Sequence, residues 1–201
     1  MSARPEPVLS FADFLEWEVG QETKHEFYRG GVFAMAGGSV PHSDIVGNAF
    51  FALRVALQGR GCTVSTDALA IRVEAADLYT YPDVSVVCGE RSLHGTRFAN
   101  TALLNPLVLV EVLSPSTASY DRGAKFDLYA QIPSLQAYVL VSQDAPSVHV
   151  YSRDGDAWRA VLTSEGEARI PCLDVALPLD ALYDGVAFPG PGERTRPTPG
   201  V

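Results

Sequence analysis

The sequence predicts an α/β (α+β) domain built around one central mixed sheet flanked by helices. Three observations lead there. Apolar runs of strand length recur along the chain, two stretches carry helical periodicity behind capping residues, and strand and helix signals are interleaved. No internal repeat is present, and 201 residues suit one domain with a core that needs no staples.

Residues 1–9, with Pro5 and Pro7, read as a flexible N-terminal arm, and 10–188 as a single domain. Ser10 stands as an N-cap with Asp13 three residues on, where a capping box usually holds Glu or Gln. The helix FADFLEWEV follows, presents Phe11, Phe14 and Leu15 on one face, and ends at Gly20. Lys24–Tyr28 and Val32–Ala36 are extended runs about Arg29-Gly30-Gly31, where glycine supplies the positive φ of a tight hairpin. Ser39, Pro41 and His42 mark a second helix start, and Val46, Ala49, Phe50, Leu53 and Leu57 give it an apolar stripe through Gln58.

Strands are expected near Cys62–Ser65 and Leu69–Val73, and a central one at Val84–Val87 behind Tyr81-Pro82-Asp83. Residues 89–105 read as an irregular loop. Then comes PLVLVEVLSPSTASYDRGAKFDLY, an apolar strand with one carboxylate that breaks at Ser114-Pro115 and restarts as a helix over Tyr120–Ile132. Gln136–Ser142 is a further buried strand, and Val148–Tyr151 with Trp158–Thr163 form a hairpin across Asp154-Gly155. Pieces at Cys172–Leu177 and Leu179–Tyr183 close the domain, and 189–201, rich in Pro and Gly, reads as a disordered tail.

Composition bounds the function. The apolar share of 47% and charged share of 19% are ordinary for a globular chain. No apolar run approaches the ~18–20 residues of a membrane span, and acids interrupt the N-terminus where a signal peptide is apolar. Cys62, Cys88 and Cys172 are odd in number and lack metal-ligand spacing, so they read as buried free thiols in a reducing cytoplasm. A formal charge of −9 argues against general affinity for nucleic acid, which draws on Lys and Arg at phosphates.

Glu111 poses the central question, because an ionised carboxylate in an apolar strand needs a cation or strong donors. Asp83 opens another apolar strand; if the two strands are neighbours, both carboxylates face one site. Such oxygen donors suit Mg²⁺ or Mn²⁺, with the Val112 carbonyl as a third ligand. A cation there lowers the pKa of a bound water, and Lys125 can orient that water or neutralise a phosphate oxygen. Asp121 and Lys125, four apart on one helix face, can equally pair with each other.

The segments HEFYRGGVFAM, YPDVSVV and PLVLVEVLSPSTASYDRGAKFDLY resemble the Uma-type restriction endonuclease family, a bacterial branch of the PD-(D/E)XK nuclease superfamily. The resemblance spans about residues 10–185. It implies a restriction-endonuclease-like fold, a Mg²⁺-dependent endonuclease site acting on DNA, and a homodimer. By position, Asp83 is the motif aspartate and Glu111 the (D/E). The lysine position of the motif holds Leu113, and Lys125 on the following helix takes its place. Glu26 matches an acidic residue of the family's first strand, and His42 a histidine at the helix start. Against this nuclease stands a second reading: a non-catalytic nucleic-acid-associated or protein-interaction module that keeps the fold. Hydrolysis of a small phosphate ester is a third.

Overall fold

The computed structural model describes residues 9–35, 37–96, 99–115 and 117–188. Helix α1 (Phe11–Glu18) starts where the cap was expected: Ser10 Oγ accepts from the Asp13 amide and donates to the Asp13 carboxylate at 2.6 Å. Strands β1 (His25–Tyr28) and β2 (Gly31–Ala34) form the hairpin, with Arg29 and Gly30 both at positive φ (48° and 86°). Helix α2 (Val40–Ala56) is capped by Ser39, whose Oγ accepts from the His42 amide, with Pro41 in its first turn. β3 (Cys62–Thr66), β4 (Ala70–Val73), β5 (Leu78–Thr80) and β6 (Val84–Cys88) follow. After them come β7 (Leu93–Thr96), β8 (Ala99–Leu103) and β9 (Val108–Leu113). Short helices α3 (Ala118–Arg122) and α4 (Ala124–Tyr129) lead to β10 (Ala137–Ser142), β11 (Val148–Asp154) and β12 (Ala157–Thr163). The hairpin β13 (Glu167–Ile170) and β14 (Val175–Pro178) and helix α5 (Leu179–Leu182) end the described chain.

The strands make two six-stranded mixed sheets, ordered β2-β1-β5-β4-β8-β7 and β12-β11-β10-β9-β6-β3. In the second sheet β9 runs parallel to β10 and antiparallel to β6. Alternation along β9 divides the core: Val108, Val110 and Val112 pack with Ile45, Ala49 and Leu53 of α2. Leu109 and Leu113 point the other way, toward Ile71, Val73 and Leu78 of the first sheet and Leu128 and Tyr129 of α4. The far face of the first sheet is closed by Phe14 and Leu15 of α1 over Phe27, Ala70 and Tyr79. Glu111, between Leu109 and Leu113 in phase, therefore projects into the layer between the two sheets.

Four expectations are corrected. One sheet becomes two, because β1, β2, β4 and β5 pair with one another and not with the strands of the sheet that carries β6 and β9; and 89–105 is not a loop but contains β7 and β8, the outer pair of that first sheet. These strands interleave polar residues with Leu93, Ala102 and Leu103, so no apolar run announces them. The helix expected over 120–132 is two helices, since the backbone leaves the helical region at Gly123 (φ −116°, ψ −97°). Cys62 and Cys88, directly opposed across β3 and β6, are joined in a disulfide, and Cys172 is exposed. Three buried free thiols are not what the fold contains, and the argument from them to a reducing compartment falls away. The expected arm and tail lie outside the described residues apart from Leu9, whose amide donates to Gly30. Among the described residues no helix is long and apolar enough to cross a membrane.

Helix α2 is held to the second sheet through Leu53, which is fully buried. Leu53→Ala is expected to cost about 2–5 kcal/mol, read as a lowered midpoint in urea unfolding.

Candidate functional site

Register brings the two acids together. β6 and β9 pair antiparallel with Val84 opposite Val110, and one further residue sets Asp83 opposite Glu111. Asp83 Oδ2 accepts from the Val112 amide at 2.6 Å, so the pairing continues through a side chain where the strand itself has ended. Both carboxylates line one cavity of about 440 Å³, together with Glu26, His42, Asp121 and Lys125. The sequence-predicted residues Asp83, Glu111, Lys125, Glu26, His42 and Val112 are thus all at one place.

Lys125, only 7% exposed, is the hub. Its Nζ lies 2.9 Å from Glu111 Oε1, 3.6 Å from Asp121 Oδ1 and 3.8 Å from Glu26 Oε1. Burial works against the ammonium, but Glu111, Glu26 and Asp121 outweigh it and hold the amine above its ordinary value. Glu111, 5% exposed, also accepts at Oε1 from the Tyr129 hydroxyl at 2.8 Å. Burial pushes its carboxyl up to about 8; Lys125 opposes this, and the charges of Asp83 and Asp121 add to it. Glu26 sits on β1 beside Thr80, whose hydroxyl donates to it, in the register that pairs Phe27 with Tyr79.

His42 Nε2 lies 3.3 Å from Asp83 Oδ2. That hydrogen bond holds the imidazole above its usual value against partial burial, with Glu111 and the Val112 backbone adding to the rise. Gly38 makes room for the ring: a Cβ there would stand 2.9 Å from His42 Nδ1.

The donor set fits a hard divalent cation. Four carboxylates, of Glu26, Asp83, Glu111 and Asp121, line a cavity that holds one ammonium and one imidazole. Among the described residues no three His, Cys, Asp or Glu side chains gather as a cage. Mg²⁺ uses one or two carboxylates plus waters and substrate oxygens, so the Asp83–Glu111 edge is a sufficient protein contribution.

Sequence reasoning left three site residues aside. Tyr129 is fully buried in the core and is also a donor to Glu111. Tyr120, at 39% exposure, stands on the cavity wall. Gln143 is 8% exposed, lines the same cavity, and accepts from Ser39 Oγ at 2.9 Å. Its signal was positional: it directly follows β10, whose carboxyl end lies beside that of β9, where ligands gather in parallel α/β arrangements.

The family described as "Putative restriction endonuclease", Uma2, matches residues 11–180. The chain belongs to the Uma2 family. Two relatives from Synechocystis sp. extend the match. "Uncharacterized protein slr1290" is 38% identical over 92% of this chain and 96% of its own length. "Uncharacterized protein sll1609" is 32% identical over 74% and 83%. Among solved structures, "a putative nuclease belonging to DUF820" from Anabaena variabilis superposes with a TM-score of 0.72 at 17% identity, covering 89% of this chain and 99% of that one. The last likeness establishes the fold, and Uma2 membership with a nuclease-like fold supports a nuclease-type function.

Lys125→Met leaves Glu111 buried without its cation and is expected to destabilise by about 3–5 kcal/mol in urea unfolding. Adding Glu111→Gln should recover much of that loss, and a double-mutant cycle that is simply additive would show the two side chains uncoupled.

Proposed function

We propose that this Uma2 protein is a Mg²⁺-dependent endonuclease, with Mn²⁺ as an alternative metal, that hydrolyses DNA phosphodiester bonds. The observation that carries the reading is the strand register that opposes Asp83 to Glu111 over a cavity with Lys125 bonded to Glu111. Asp83, Glu111 and the Val112 carbonyl are the residues assigned to the cation. When bound, the cation supplies an activated water and charge neutralisation at the phosphate.

The remaining roles belong to the chain. Lys125 offers an ammonium at the cavity wall and neutralises charge that develops on the phosphate. Glu26 and Asp121, within 4 Å of its Nζ, hold it in place and keep it protonated. His42, in hydrogen-bond contact with Asp83, orients that carboxylate and holds a proton at Nε2 close to the substrate. The acidic balance of −9 makes phosphate contact depend on the metal and on these few cations.

The same balance, with Lys125 already engaged by three carboxylates, favours the second reading of a non-catalytic module that keeps the fold. Supercoiled plasmid with Mg²⁺ or Mn²⁺ separates the two. The wild type is expected to nick it, and Asp83→Ala and Glu111→Ala to lose about 10²-fold or more of that rate. Calorimetry should give a Mn²⁺ binding heat that Asp83→Ala abolishes. Nicking at equal rates by Glu111→Ala would sink the assignment, and metal binding without nicking would leave the non-catalytic module.

A further inference from the structure

Gln143 has chemistry that packing does not account for. It follows β10 at the point where Ser142 pairs with Leu113, so it sits at the carboxyl end of the strand pair that carries Glu111. Its side chain is more than nine-tenths buried, yet it lines the cavity of Glu111 and Lys125.

Its orientation is set by Ser39. The Ser39 oxygen accepts from the His42 amide, and its one hydrogen goes to Gln143 Oε1. With the oxygen spoken for, Nε2 is the end left over. Among the described residues nothing accepts from Nε2, and it is not one of the two enclosed polar atoms without a partner, which are Arg72 Nη1 and Ser85 Oγ. Nε2 is thus not enclosed, on a side chain that lines the cavity. The 17-residue helix α2 begins at the same wall, through Ser39, and turns its positive end toward the same space.

We propose that Gln143 binds the substrate directly, its Nε2 donating to a non-bridging phosphate oxygen in a subsite shared with the N-terminus of α2. The carboxylates of the cavity repel a phosphate and share the charge of Lys125, so a neutral, pre-oriented donor supplies a contact that Lys125 alone does not. The subsite rests on the nuclease reading and deepens it by naming a second point of phosphate contact.

The test uses dimethyl phosphate, a minimal phosphodiester, with Mg²⁺ and ¹⁵N-labelled wild-type protein. The Gln143 side-chain amide signals are expected to shift saturably, together with the Gly38 and Val40 backbone amides. Gln143→Met removes the donors without adding a charge, and Gln143→Glu replaces them with a carboxylate; both should weaken this binding about tenfold or more. Ser39→Ala, which frees the carboxamide to turn over, should weaken it by less. In plasmid cleavage Gln143→Glu should raise KM by about the same factor and leave kcat nearly untouched. Unmoved Gln143 signals, or equal affinity in Gln143→Glu, would overturn the proposal even if the wild type cuts DNA. Shifted Gln143 signals in a protein that cuts no DNA would keep the subsite and discard the nuclease.

Discussion

A carboxylate placed between two sheets needs a counter-charge within hydrogen-bond reach, and Glu111 finds it in Lys125 at 2.9 Å. That contact ties β9 of one sheet to α4, and through Glu26 it reaches β1 of the other sheet. Tyr129 reinforces it with a second donor to the same oxygen. The break at Gly123 belongs to the same arrangement. The preceding short helix carries Asp121 and the following one Lys125, and both side chains reach the buried carboxylate layer.

A second consequence is electrostatic. The site gathers more negative charge than its own cations balance, and such excess is stable only where a ligand or solvent supplies the rest. The two apolar walls, α2 on one side and the first sheet on the other, keep Asp83, Glu111 and Asp121 from relaxing apart. Ser39 at the start of α2 and Gln143 after β10 line the same cavity and are joined by a hydrogen bond from the serine hydroxyl to the carboxamide oxygen. Function here is a matter of charges held in register by strands.

Much of this was legible in order of residues. Capping at Ser10 and Ser39, the Arg29-Gly30 hairpin, and the strands that carry Asp83 and Glu111 all follow from local chemistry that neighbours along the chain supply. The pair β7–β8 did not, because β7 is the edge of the first sheet and β8 joins that sheet through β4, far back along the chain, where Ala102 pairs with Ala70. Their polar residues look like a loop until the rest of the sheet is present. The Cys62–Cys88 bond was hidden for the same reason: opposed positions on β3 and β6 are 26 residues apart in sequence.

Local pattern by itself determined the fold class and the two acids, and it carries the family resemblance that points to Lys125 in place of the motif lysine. Each depends on residue type and spacing, which short-range sterics and hydrophobic periodicity express directly. Only the tertiary structure decided that Asp83 stands opposite Glu111, that Lys125 serves three acids, and that Gln143 lines the same cavity. Those are relations between segments brought together by sheet register and core packing, and no run of neighbouring residues encodes them.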